Sequence, residues 1–366
     1  MNQLTWVVVL AISMTKLWIT AQGIYVDNGN PYDKGTLQVL NFTISQHDAP
    51  LLTKVYYPKK IDTYAVLFFT GGLLGYIPAE SYSDVLTRVA SHGFVVIGVD
   101  YLPFPIPTPP VGVIGDRAHR QGVGSHQSKK YMEELQWLTQ NLEGRIAQQL
   151  NHTTLPRLVP AFDHLAVSCH SAGCDPFADM IVQNHTFAAA ALFLEPFSFH
   201  FKTPLTFNMP ALILGTEFST EHPACIWPNE GYDHFYDMWK CPKIVMNVKV
   251  SMHITVNTFK MTHSTAIIQT DDANSFFGQY FFLSFESPQG HGHCEMLDAG
   301  MYSVCAKEQF CKSNPDADLN KYHSFVQGIS VAFLTTELQG QNKLQYVTNT
   351  TLLPVELLEF KKVLDC

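Results

Sequence analysis

Ala65-Val66-Leu67-Phe68-Phe69-Thr70-Gly71-Gly72 and, beyond a helical stretch, Phe94-Val95-Val96-Ile97-Gly98-Val99 decide the fold. Each apolar run is unbroken rather than alternating, as a strand reads when helices cover both faces of its sheet. Ser81 to Ala90 between them carries a helical pattern, and the links are short. Strand, helix, strand in this order is the unit of a parallel sheet.

Toward the N-terminus, Asn28-Gly29-Asn30-Pro31-Tyr32 marks a turn. Val55-Tyr56-Tyr57-Pro58 reads as an edge strand stopped by its proline. Toward the C-terminus, the stretch from Tyr101 to Gly115 holds no charge and five prolines from Pro103 to Pro110, a density that forbids helix and central strand. Such a loop is either a surface linker or the apolar wall of a cleft, and in the second case Phe104 and Ile106 are its substrate-binding candidates. Ser125 to Leu142 follows with Tyr131, Leu135, Leu138 and Leu142 on one helical face. Leu165–Val167, Ala188–Leu194 and Ala211–Gly215 read as further buried strands. Phe325, Ile329 and Phe333 mark a docked helix near the end. No break in composition separates these segments. Residues 24–366 are therefore expected to form a single α/β domain, with a mostly parallel central sheet covered by helices on both faces.

Composition narrows the function classes. The 366 residues carry 23 basic and 32 acidic side chains, a formal charge of −9 that lacks the basic stripe of a nucleic-acid binder. Apolar residues make up 46% and charged residues 15%, which excludes a disordered chain. Beyond the N-terminus no run of about 18 apolar residues suggests a membrane span.

Residues 5–13, Thr-Trp-Val-Val-Val-Leu-Ala-Ile-Ser, have the length and character of a signal-peptide core, and Ala21-Gln22-Gly23 offers a small-x-small cleavage site. Residues 1–23 are accordingly expected to be a signal peptide. Lys16 opposes a permanent anchor, because a charge mid-bilayer is costly. Glycosylation sequons at Asn41, Asn151, Asn184 and Asn349 agree with secretion, as does the even count of eight cysteines. The expected location is extracellular, and the cysteines are expected to pair in a way that their spacing leaves open.

The chemistry centres on Cys169-His170-Ser171-Ala172-Gly173, where a buried strand gives way to a helix. A serine at such a turn is lifted out of the sheet and set against a helix N-terminus, provided that its outer neighbours are small. A serine hydroxyl needs a histidine to take its proton and a carboxylate to orient that histidine. His293 lies far downstream, and Glu195 stands at the exit of Ala191-Leu192-Phe193-Leu194, where strand ends meet the active edge of a parallel sheet. Glu217, after the next strand, is the second choice of acid. His291 and His293 form an H-G-H pair, but further ligands at zinc spacing are missing, so no metal is expected. Cys169 and Cys174 flank the serine at −2 and +3. They are read as free small packing residues, with a bridge across the turn as the alternative.

Several ordered blocks resemble the chlorophyllase family of α/β hydrolases, serine esterases related to lipases. They are Val89-Ala90-Ser91-His92-Gly93-Phe94-Val95-Val96, His164-Leu165-Ala166-Val167 through Gly173, and Leu194-Glu195-Pro196. Gly292-His293-Cys294-Glu295-Met296-Leu297-Asp298 and Ser324-Phe325-Val326-Gln327-Gly328 continue the series. The resemblance covers about residues 30 to 340. It implies the α/β-hydrolase fold, Ser171 as nucleophile, Glu195 as acid, His293 as general base, and an oxyanion hole from the N–H groups of Ala172 and Gly72. It also implies disulfides between Cys225 and Cys241 and between Cys305 and Cys311.

This chain departs from the family where Cys169 and Cys174 replace glycines, Ala172 replaces an arginine, and Glu195 replaces an aspartate. It also carries an atypical insertion near residues 246–284. The implied function is secreted hydrolysis of a hydrophobic carboxylic ester, the chlorophyll phytyl ester or a lipid-like ester, through an acyl-enzyme and without a cofactor. The alternative is an inactive hydrolase-fold protein that binds a tetrapyrrole, a lipid or a protein partner.

Overall fold

Among the described residues the apolar runs become the middle of a nine-stranded sheet in the order β1-β2-β4-β3-β5-β6-β7-β8-β9. The computed structural model describes residues 23–101, 117–151, 156–220, 225–226, 229–248, 291–308, 311–314 and 317–366. Its strands are β1 Val39–Ile44, β2 Leu52–Pro58, β3 Thr63–Thr70, β4 Phe94–Asp100, β5 Val159–His170, β6 Ala190–Leu194, β7 Ala211–Thr216, β8 Lys243–Val248 and β9 Leu357–Val363. From β4 through β8 every neighbouring pair is parallel, whereas β1–β2, β2–β4 and β8–β9 are antiparallel.

Alternation along the two deciding strands explains why neither shows a polar face. Ala65, Leu67 and Phe69 of β3 and Phe94 and Val96 of β4 join one core, whereas Val66, Phe68, Val95, Ile97 and Val99 join the core on the opposite face. The first core is closed by α1 Ser83–Ser91 and later by α6 Leu319–Gln339, the second by α2 Arg117–Gln149 and α3 Cys174–Gln183. Tyr131, Leu135, Leu138 and Leu142 are buried on α2, as are Phe325, Ile329 and Phe333 on α6. Truncating one such ring to alanine removes about 3 to 5 kcal/mol of stability.

Two local expectations change. Val55–Pro58 lies inside β2, which is flanked on both sides, and β1 takes the edge instead. Pro58 is tolerated because it ends the strand, opposite Val39. Leu165–Val167 is the second half of a longer strand whose register slips between Ala65 and Val66 of its partner. Phe104 and Ile106, residues 1–22 of the expected signal peptide and 249–284 of the expected insertion lie outside the described residues.

Four disulfides join Cys169 to Cys174, Cys225 to Cys311, Cys241 to Cys366 and Cys294 to Cys305. The expected pairs Cys225–Cys241 and Cys305–Cys311 are thus replaced. Pairing follows Cα separation in space, 5.3 Å for Cys225–Cys311 and 6.3 Å for Cys294–Cys305, rather than a spacing along the chain. The reading of Cys169 and Cys174 as free is also corrected, because their Cα atoms lie 5.0 Å apart across the turn. Asn41, Asn151, Asn184 and Asn349 are all exposed. Among the described residues no helix is long and apolar enough to cross a membrane.

Candidate active site

Ser171 follows the last residue of β5 and adopts φ +56°, the left-handed region that L-residues avoid. The chain must turn there at once into a short 3-10 segment, Ser171–Gly173, and then into α3. Small neighbours make the turn possible. A Cβ on Gly173 would stand 2.1 Å from the carbonyl oxygen of Gly71, so only glycine fits. The Cys169–Cys174 bridge ties the strand end to the helix start, and both residues are fully buried.

The parts named from sequence come together around this turn. His293 Nε2 lies 2.7 Å from Ser171 Oγ across 122 residues of chain, in position to accept the hydroxyl proton. Its Nδ1 stands 3.6 Å from Glu195 Oε2. Ser171, Glu195 and His293 are 8%, 1% and 3% exposed, so water screens their charges weakly. Glu195 sits one residue beyond β6 with φ +51°, held by its N–H to the carbonyl of Leu214 at 2.8 Å. The hydroxyl of Ser219 donates to Glu195 Oε2, and Thr216 Oγ1 lies 2.8 Å behind Ser219 Oγ. Glu217 opens the 3-10 turn after β7 and lines the neighbouring cavity together with Glu195. That cavity, about 500 Å³, is bounded by Glu195, Thr216, Ser219, Tyr232 and Asn247, beside Glu195 rather than over Ser171.

The expected oxyanion donors fare differently. Ala172 follows Ser171 directly and packs against Phe197, Phe199 and Ile226. Gly72 lies against the turn, its would-be Cβ 3.3 Å from Ser171 Cβ, yet its N–H donates to Tyr82 Oη at 2.9 Å. The amide that follows belongs to Leu73, which with Leu74 adopts left-handed backbone at φ 49° and 59°.

Sequence reasoning missed four supporting residues. Asp175, fully buried at the start of α3, accepts from the N–H groups of Phe199 and His200 at 2.8 and 3.0 Å, and Ser198 Oγ also donates to it. It thereby ties the loop after Glu195 to the helix after Ser171. Glu295 accepts from Gly292 N–H at 2.7 Å and from Asn314 N–H at 2.9 Å, and so braces the His293 loop on both sides. Burial pushes its carboxyl up to about 7. Tyr82 and Ser219 complete the set. No spacing rule marks these residues, because each contact closes over a fold-dependent path. For Ser219 the only hint is its place after a strand exit.

The cysteines also bound what the site can hold. The sulfur atoms that approach His293, from Cys225 and Cys311, belong to one disulfide, and those of Cys294 and Cys305 to another. A disulfide sulfur is not the thiolate that a metal takes. The Cys294–Cys305 bridge does anchor the residue after His293 to α5 Ala299–Lys307.

An α/β protein with a mostly parallel sheet and a serine, histidine and carboxylate grouped at its strand ends is the class that fold and site define. No protein-family model matches the chain, and no curated protein matches it.

Proposed function

We propose that the protein is a secreted serine carboxylic-ester hydrolase of the α/β-hydrolase fold, resembling chlorophyllase. The single observation that carries the reading is the 2.7 Å approach of His293 Nε2 to a serine oxygen on a left-handed strand-to-helix turn. Glu195 behind the histidine and the chain order serine, acid, histidine add support. The strand order, with β2 antiparallel and the serine at the C-terminal end of β5, agrees with that fold. Four disulfides agree with an oxidising compartment.

In this mechanism Ser171 Oγ attacks the ester carbonyl while His293 Nε2 takes its proton. The carbonyl becomes an oxyanion facing Ala172 N–H and Leu73 N–H. Collapse breaks the bond to the alcohol oxygen, which leaves with the proton from His293. Water then attacks the acyl-enzyme and gives a proton to His293, which passes it to Ser171 Oγ as that oxygen leaves and the acid is released. Glu195 orients the ring and stabilises the imidazolium that forms at each step. The 3.6 Å gap between carboxylate and ring is compatible with a free enzyme, in which catalytic contacts tighten only with substrate. The resemblance directs the substrate class to hydrophobic esters, chlorophyll phytyl ester or a lipid-like ester among them.

Reaction with a fluorophosphonate probe tests the reading. Covalent labelling that disappears in Ser171→Ala is the expected result. A folded wild-type protein that resists the probe would instead favour an inactive hydrolase-fold binder of a tetrapyrrole, lipid or protein partner.

A further inference from the structure

His170 and Tyr82 form a hydrogen-bonded chain beside the nucleophile that the triad chemistry does not use. Tyr82 Oη lies 2.7 Å from His170 Nδ1 and receives the Gly72 N–H at 2.9 Å. Both side chains are buried, 1% and 3% exposed.

One tautomer of His170 gives this chain a single direction. An amide can only donate, so Gly72 N–H occupies a lone pair of Tyr82 Oη. Burial pushes the Tyr82 phenol far above its ordinary range, so the O–H keeps its proton and can donate onward. His170 is held well below the ordinary histidine range, by burial first and then by His293, whose ring centroid lies 4.6 Å away. The backbone of His293 hydrogen-bonds the His170 ring and opposes that lowering, and the neutral tautomer that carries its proton on Nε2 offers Nδ1 as the acceptor. With the proton on Nε2 the sequence of donors runs from Gly72 to Tyr82 to His170.

We propose that Tyr82 is a positioning residue: its hydroxyl, clamped between Gly72 N–H and His170 Nδ1, holds the Gly71–Gly75 turn against the serine turn and keeps the Leu73 amide, the one that follows Gly72, aimed at the oxyanion. The turn needs such a clamp. Leu73 and Leu74 both sit in left-handed backbone, which L-residues avoid. Gly72 also stands so close to His170 that a Cβ would come within 3.1 Å of Nδ1. His170 precedes the nucleophile, so the clamp registers the oxyanion turn directly on the strand that carries Ser171. Phe69, in edge contact with the Tyr82 ring at 4.9 Å, fixes the phenol from β3.

The inference rests on the esterase reading, and the test separates the two. Wild-type labelling by the fluorophosphonate probe and turnover of p-nitrophenyl butyrate establish the reading itself. Absence of both overturns that reading, and this inference with it. Given an active wild type, Tyr82→Phe keeps the ring and loses both hydrogen bonds. It should lower kcat about 10- to 100-fold with KM within about twofold, a loss smaller than that for removing an oxyanion donor outright. Inhibition by a trifluoromethyl ketone, which forms a tetrahedral adduct on the serine, should weaken by the same factor as kcat/KM falls. His170→Asn places an acceptor near the position of Nδ1 and should retain most of the activity. His170→Leu should match Tyr82→Phe, and the double variant should be no worse than either single one. An active wild type whose Tyr82→Phe variant loses thermal stability but keeps kcat and ketone affinity would overturn the positioning role and leave the esterase standing. So would losses that multiply in the double variant.

Discussion

His293 Nδ1 faces Glu195 Oε2 at 3.6 Å, and that same oxygen receives the hydroxyl of Ser219. Glu195 is thus fixed from behind by β7 and its turn, and from its own backbone by the Leu214 carbonyl. Oε2 accepts from Ser219 and faces His293 Nδ1 at ion-pair distance, while Oε1 is buried with no hydrogen-bond partner among the described residues. Ser219→Ala should free the carboxylate to rotate and lower kcat several-fold with KM little changed. An unaltered kcat would show that the backbone alone holds Glu195 in place.

Ser171 and His293 are expected to act as a unit. Each alanine variant should lose on the order of 10⁴-fold or more in kcat, and the double variant should be barely worse than either, because triad effects are non-additive. Losses that combine as independent factors would count against a shared proton transfer. Glu195→Gln should lower kcat on the order of 100-fold or more, since an amide cannot stabilise the imidazolium. Glu217→Gln should leave kcat near wild type, and the reverse result would move the acid to the turn after β7.

Peptide mapping without reduction should recover linked peptides for 169–174, 225–311, 241–366 and 294–305. The double variant Cys169→Ala/Cys174→Ala removes the cross-link that closes the serine turn. For so short a loop the chain-entropy model gives about 2 kcal/mol of lost stability. Thermal unfolding of the oxidised double variant and wild type checks it, and equal midpoints would mean that the bridge adds nothing beyond packing.

Asp100, at the end of β4, accepts from Ala79 N–H at 2.7 Å, and burial pushes its carboxyl up from 3.8 to about 7. The folded state therefore binds the proton more tightly than the unfolded chain. Between about pH 4 and pH 7 this group's contribution to stability falls as the pH rises. Asp100→Asn keeps an acceptor for Ala79 and carries no charge. It should be more stable than wild type at pH 8, on the order of 2 kcal/mol, with the advantage fading as the pH falls toward 4. Denaturant titrations at pH 5 and pH 8 measure this, and a difference independent of pH would assign the effect to something other than the buried charge.

Much of the architecture was legible in the chain. The run from Ala65 to Phe69 and that from Phe94 to Val99 had to be strands covered on both faces, because every second residue on each side is apolar. The helix faces of Tyr131 to Leu142 and of Phe325 to Phe333 followed from periodicity, and the structure buries both. Ser171, Glu195 and His293 were named from chain order and strand exits, and the fold brings them within contact of one another. Pro58 misled as an edge signal, because a proline at a strand terminus leaves the interior ladder intact.

Local sequence therefore determined the elements of this protein, since periodicity and turn chemistry act over a few residues and are written directly in the chain. Only the tertiary structure decided which cysteines meet, that Gly72 N–H turns to Tyr82, and that Ser219, Asp175 and Glu295 brace the site. Each of these depends on where separate strand ends converge. A hydrogen bond or a disulfide forms only over a few ångströms, and that distance is set by the packing of the whole sheet and its helices rather than by any stretch of sequence on its own.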